Sequence, residues 1–186
     1  MEMNTVSEEK NKTGLPVWAY VVAFVVLIGF LGLLGWGLIR AQKGGILPGD
    51  PAPNFTLTTY DGQTINLADT KGKVVMINFW ASWCTTCADE AAFLENAWKH
   101  YEPDGKVVFL GIAWVDTPDG SMQYLQRFGI TYPNGDDQGG EASQKYRITG
   151  VPETYFIDRQ GKIATVQIGP FVSEDAIYNV VDGLLK

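Results

Sequence analysis

Cys84 and Cys87 are the only cysteines among 186 residues, and they stand three apart. Two cysteines placed at random would fall at that spacing in roughly one case in a hundred, so the C-x-x-C pattern is itself a signal. It lies in Trp80-Ala-Ser-Trp83-Cys84-Thr-Thr-Cys87, where an apolar run gives way to a helical pattern. A sulfur at a helix N-terminus meets unpaired N–H groups and the positive dipole end, which favours its thiolate. A second sulfur one turn on is within reach to resolve a mixed disulfide. Cys84 is therefore the expected attacking thiol and Cys87 the resolving one. A structural disulfide, half a zinc site and two buried thiols are the other readings. A three-residue loop constrains the unfolded chain little, so stabilisation alone motivates the pair poorly. Residue 88 is Ala, not His, so this is not a C-x-x-C-H haem attachment site.

The surrounding pattern supplies the elements that must hold these sulfurs. Val74–Trp80 (VVMINFW) is a continuous apolar run of strand length, as a strand buried on both faces requires. After Cys87, apolar residues at 91, 94, 97, 98 and 101 recur at helical spacing until Pro103 and Gly105. Residues 55–60 and 63–67 alternate around Asp61-Gly62, a hairpin signal. Residues 107–115 read as a second buried strand, 121–128 and 141–146 as short helices, and 154–158 with 163–168 as another hairpin-like pair. Ser173 is a good N-cap, followed by Glu174 and Asp175 in a first helical turn. Alternating strands and helices with hairpins at the margins predict an α/β fold on a mixed sheet.

Composition excludes several classes. Beyond residue 45 the chain carries 10 basic and 18 acidic residues, a net charge of −8. Nucleic-acid binding needs the opposite balance. One His and two Cys cannot build a four-ligand Cys/His zinc site. Residues 15–39 contain no Asp, Glu, Lys or Arg. As a helix that run spans roughly 37 Å, enough to cross a bilayer. Trp18, Tyr20 and Trp36 stand near its ends. No A-x-A-like cleavage site follows, so an uncleaved anchor is expected. The expected divisions are an N-terminal tail at 1–14, the anchor at 15–39, a linker at 40–47 and a folded domain at 48–186. Lys10 and Lys12 precede the span while Arg40 and Lys43 follow it, so charge does not orient it. Dithiol chemistry does: exported disulfides need such partners, which favours the N-terminus inside and the domain outside.

From Leu47 to Lys186 the residues resemble the thioredoxin superfamily, and more narrowly its membrane-anchored TlpA/ResA/CcmG (DsbE) thiol–disulfide oxidoreductases. The carriers are Pro48-Gly-Asp-Pro-Ala-Pro-Asn-Phe55, Val75-Met-Ile-Asn-Phe-Trp-Ala-Ser-Trp-Cys84, Cys87-Ala-Asp-Glu90 and Tyr146-Arg-Ile-Thr-Gly-Val-Pro-Glu-Thr-Tyr-Phe-Ile-Asp158. The resemblance implies a thioredoxin-like fold: a mixed central sheet flanked by helices, with an N-terminal β-hairpin extension, here behind one transmembrane helix. It implies that Pro152 is the cis-proline facing the sulfurs, presenting a backbone edge without a competing N–H. Glu90 matches the acid three residues after the second cysteine, where a partly buried carboxylate exchanges protons with Cys87. Glu153 matches the acid after that proline in the CcmG branch, and Trp83 supports the motif from its N-terminal side. On the residue alone, Glu90 also reads as a solvated first-turn side chain, and Pro152 as an ordinary turn proline.

By the same resemblance, the function is disulfide exchange with protein cysteines outside the cytoplasm of a bacterial cell, as a reductase in cytochrome c maturation. Its partners would be protein thiols and disulfides, apocytochrome c among them, and a membrane electron donor for re-reduction. No cofactor is implied. Thr85-Thr86 departs from the family, which commonly places a proline between the cysteines, and these two residues tune the potential. Asn78 stands where cytosolic thioredoxins carry a buried Asp, leaving Glu90 to handle protons. His100, farther along the same helix, reads as a surface residue. The alternatives are a general oxidant or reductase of other exported proteins and a non-catalytic, thiol-dependent assembly factor. A thiol peroxidase would need Thr at position 81, which is Ala, and a copper chaperone would need C-x-x-x-C.

Overall fold

The computed structural model describes residues 16–41 and 46–186. The expected tail, and the expected linker over residues 42–45, lie outside the described residues. The chain divides into an N-terminal unit and a second unit beginning at Gly45. In the first, α1 (Val17–Ala41) runs two residues past the expected end at Ile39. Its Val17–Trp36 stretch has a mean hydropathy of 2.6, and none of it is buried within the chain. By length and composition this helix fits a single-pass membrane anchor.

The second unit is built around β3 (Val74–Trp80), whose seven residues are all buried because the strand is central and covered on both faces. Four further strands complete this sheet: β4 (Val107–Ala113), β5 (Asn134–Asp136), β6 (Glu153–Ile157) and β7 (Ile163–Ile168). Their order is β5-β4-β3-β6-β7, with β4 parallel to β3 and β5, and with β6 antiparallel to β3 and β7. The strand period of two sorts the core into halves. Val75, Ile77 and Phe79 pack with Phe55, Tyr146 and Tyr155 on one face. Val74 and Met76 pack on the other with Leu94, Ala97, Ile177 and Val181. That second face is covered by α2 (Thr85–Tyr101) and α5 (Glu174–Leu185). Two shorter helices, α3 (Pro118–Phe128) and α4 (Glu141–Tyr146), lie in the remaining crossovers.

The hairpin strands β1 (Thr56–Thr58) and β2 (Thr64–Asn66) form a separate two-stranded sheet. It meets the β5 margin through a Thr59–Gly135 bridge and the Tyr60 N–H bond to Asn134 O. Three local differences from the sequence reading have simple causes. Residues 114 and 115 leave the second strand, because Val115 turns to φ 49°. Helix α3 starts three residues early, since Thr117 caps Gly120 N–H and Pro118 suits the first turn. Ser173 occupies the N-cap position of α5 without a side-chain capping bond, its backbone being fully extended.

Candidate active site

Strand β3 ends at Trp80, and four residues later Cys84 becomes the N-cap of α2. The chain therefore delivers both cysteines to the first turn of a helix packed on the central strand. They are joined as a disulfide with Cα atoms 5.3 Å apart. Cys87 N–H donates to Cys84 Sγ at 3.1 Å, so the sulfur takes the place of a capping oxygen. Cys84 is 6% exposed and Cys87 1%, so an incoming group meets Cys84 first. A cleft of about 210 Å3 opens beside Cys84 between Trp83, Ala88, Tyr124, Arg127 and Phe128. Two larger hollows, about 360 and 570 Å3, contain neither cysteine.

The loop before Cys84 is fastened to the loop after β4. Ser82 donates its N–H and hydroxyl to the Asp116 carboxylate, Trp83 Nε1 donates to Val115 O at 3.0 Å, and Trp114 N–H donates to Trp80 O. Val115 is β-branched at positive φ, a strained conformation that these bonds hold in place. Trp83 itself is 58% exposed. On the other side of the disulfide, the Val151–Pro152 peptide is cis and Val151 O lies 3.6 Å from Cys84 Sγ. Pro152 O accepts from Gly169 N–H, which ties this loop to the end of β7.

One helical turn beyond Cys87, Glu90 is fully buried. Its Oε1 accepts from Asn78 Nδ2 at 3.0 Å and its Oε2 from Phe171 N–H at 2.9 Å, while the Asn78 amide also donates to Thr154 Oγ1. Burial pushes the carboxyl up to about 7, against the opposing pull of the Phe171 N–H and the Asn78 amide. Glu90 is thus not a solvated first-turn residue. Glu153 is placed differently. It shares a sheet face with Tyr155, whose hydroxyl donates to Glu153 Oε1 at 2.6 Å, whereas Thr154 faces Asn78. Burial raises the Glu153 carboxyl, and the Tyr155 bond opposes the rise. The structure therefore gathers Cys84, Cys87, Glu90 and the Val151–Pro152 edge, and puts Glu153 on the opposite face. His100 is exposed at the far end of α2.

The sequence reading names Asn78 only as standing in place of a buried Asp, and it misses Tyr124. Asn78 is a polar residue inside a fully buried strand, which obliges it to find partners, here Glu90 and Thr154. Tyr124 shares a helical stripe with Ser121 and Phe128, the signal that would have turned it inward.

Residues 48–166 match the AhpC/TSA family. The thiol-disulfide oxidoreductase ResA of Bacillus subtilis (strain 168) is 30% identical over 158 residues, covering 85% of this chain and 87% of its own length. The thioredoxin-like protein YneN of the same strain is also 30% identical over 158 residues, 83% of this chain and 92% of its own. Among solved structures, a thioredoxin-family thiol:disulfide interchange protein from Chlorobium tepidum TLS aligns with a TM-score of 0.68 and 29% identity, over 77% of this chain and all of that one. A secreted Mycobacterium tuberculosis disulfide oxidoreductase homologous to E. coli DsbE aligns at 0.63 and 25% identity, over 70% and 96%. With a C-x-x-C disulfide at the head of a helix on a thioredoxin-like sheet, the chain belongs to the AhpC/TSA family and is a thiol–disulfide oxidoreductase of the ResA/DsbE type.

Proposed function

We propose that this oxidoreductase is tethered with its N-terminus in the cytoplasm and its domain outside, and that it reduces disulfides of exported proteins, apocytochrome c foremost. The observation that carries the dithiol mechanism is the Cys87 N–H bond to Cys84 Sγ, which caps the helix and belongs to the more exposed of the two cysteines. In the reduced protein this N–H faces a thiolate, which it and the helix dipole stabilise. The Cys84 thiolate attacks a substrate disulfide, forming a Cys84–substrate bond and releasing one substrate thiolate. Cys87 then attacks Cys84 Sγ, the Cys84–Cys87 disulfide forms, and the second substrate sulfur leaves with the electron pair and takes up a proton. A membrane electron donor returns the pair to the dithiol.

Glu90 takes the proton from Cys87 as it becomes the nucleophile; a buried carboxyl near 7 exchanges protons readily at neutral pH. The substrate strand lies along the Val151–Pro152 edge, where Pro152 offers no N–H to compete. Trp83 walls the opposite side of Cys84. Tyr155 hydroxyl, bridging Glu153 Oε1 and Tyr146 O, fixes the start of β6 behind Pro152, which gives Glu153 a supporting place. The anchored helix and the redox pair together favour the outward topology, because disulfide exchange belongs outside the cytoplasm.

Two experiments test this reading. Cys84→Ser in the full chain abolishes reduction of a disulfide-bonded C-x-x-C-H peptide; retained activity overturns the mechanism. Protease added to intact cells digests the domain; a protected domain overturns the topology.

A further inference from the structure

Beyond the motif, a chain of buried polar contacts ends on the backbone of Cys87. Tyr124 hydroxyl donates to Cys87 O at 2.7 Å, from α3 across to the first turn of α2. The Tyr124 ring stacks on Trp80, with centroids 4.5 Å apart and planes at 27°. Trp80 Nε1 donates to Asn134 Oδ1 at 2.8 Å, and Asn134 Nδ2 donates to Tyr132 O at 2.8 Å. Asn134 fits only because β4 carries Gly111 beneath it: a Cβ there would lie 1.7 Å from Asn134 Oδ1. Trp80, Asn134, Tyr132, Tyr124 and Cys87 are all buried, and the Trp80 indole N–H, both polar atoms of the Asn134 amide and the Tyr124 hydroxyl each have a partner. Burial raises the Tyr124 hydroxyl, so it remains a donor at any working pH.

We propose that Tyr124 is a positioning residue for the resolving step: its bond to Cys87 O holds that turn in place when the disulfide is open, keeping the Cys87 sulfur aimed at Cys84 Sγ. The reason is entropic. Once the Cys84–Cys87 bond is broken, the start of α2 loses its covalent closure, and helix ends fray. A hydrogen bond from a separate, packed helix restrains the same turn in both redox states, which raises the effective concentration of Cys87 at a Cys84 mixed disulfide. Such a bond, worth its usual net energy, changes the resolving rate by about fivefold.

This inference rests on Cys87 being the resolving thiol, and the test separates the two claims. Reduced full-length protein in detergent is mixed with 5,5′-dithiobis(2-nitrobenzoic acid), and release of thionitrobenzoate is followed by absorbance. Cys84 attack releases the first anion; Cys87 attack on the resulting mixed disulfide releases the second. In Tyr124→Phe, which keeps the stack on Trp80 and loses only the donor, the ratio of second-phase to first-phase rate falls about fivefold. A packing role alone predicts a wild-type ratio in Tyr124→Phe and a loss only in Tyr124→Leu, and that pattern overturns the proposal. If Cys87 resolves, the second phase in the wild-type protein is intramolecular and its rate does not change with reagent concentration, while Cys87→Ser shows the first phase alone. A wild-type second phase whose rate rises in proportion to reagent concentration, as two independently reacting thiols would give, overturns the underlying assignment as well.

Discussion

Asn78 on the central strand donates to the buried carboxylate of Glu90, one helical turn beyond the resolving cysteine. This contact binds the middle of the sheet to the helix that carries the disulfide. It also fixes a carboxyl in an environment where its charge is costly.

That cost sets a pH dependence. The folded carboxyl titrates near 7 rather than at its ordinary 4.5, so between those values the native state holds a proton the unfolded chain has lost. Stability from this group is complete below pH 4.5, falls as pH rises toward 7, and is level above it; the whole change is roughly 3 kcal/mol. In Glu90→Gln that slope vanishes. Thermal melting of the oxidised, detergent-solubilised chain from acid to neutral pH checks it, read as the difference between wild type and variant. Parallel curves would contradict the assignment.

Gly111→Ala tests the packing under the site. The added methyl meets Asn134 in the middle of a buried strand, and Asn134 must give up Trp80 Nε1 to make room. Overpacking and an orphaned indole N–H each cost about 1–3 kcal/mol, so a loss of at least 2 kcal/mol is expected. A variant that melts with wild type would show that the Asn134 contact is dispensable.

Tyr146 makes the opposite prediction. Its ring is buried among Phe55, Phe79 and Tyr155, yet its hydroxyl has no partner among the described residues. Tyr146→Phe removes an unsatisfied polar atom and keeps the aromatic packing. The variant should be as stable as wild type or up to about 1 kcal/mol more stable, measured by thermal melting. A clear loss would mean the hydroxyl has a role the packing does not show.

The sequence made some of this legible and hid the rest for physical reasons. Val74–Trp80 was readable to the residue because a strand buried on both faces has no polar alternation to blur its ends. Strand β5 was not: Asn134-Gly135-Asp136 has turn composition, and it is a strand because Gly111 and Pro133 join it to β4 while Asn134 ties down Trp80. The cysteines announced themselves by spacing. The burial of Glu90 depended on phase, since it falls in the stripe of Cys87, Ala91 and Leu94 and so points at the sheet. The separation of Glu153 from Glu90 follows from strand alternation once β6 is known to begin at Glu153. The stripe of Ser121, Tyr124 and Phe128 turns Tyr124 inward, but its bond to Cys87 O depends on the packing of α3 on α2, which no local pattern encodes.

The most direct test of the reductase reading is the reduction potential of the Cys84/Cys87 couple, taken by equilibrating the full-length protein with dithiothreitol or glutathione redox buffers. A dedicated reductase gives a value at or below about −220 mV, toward the thioredoxin value of about −270 mV. A value near about −120 mV, that of the strong oxidants, would contradict it and make the protein a disulfide donor.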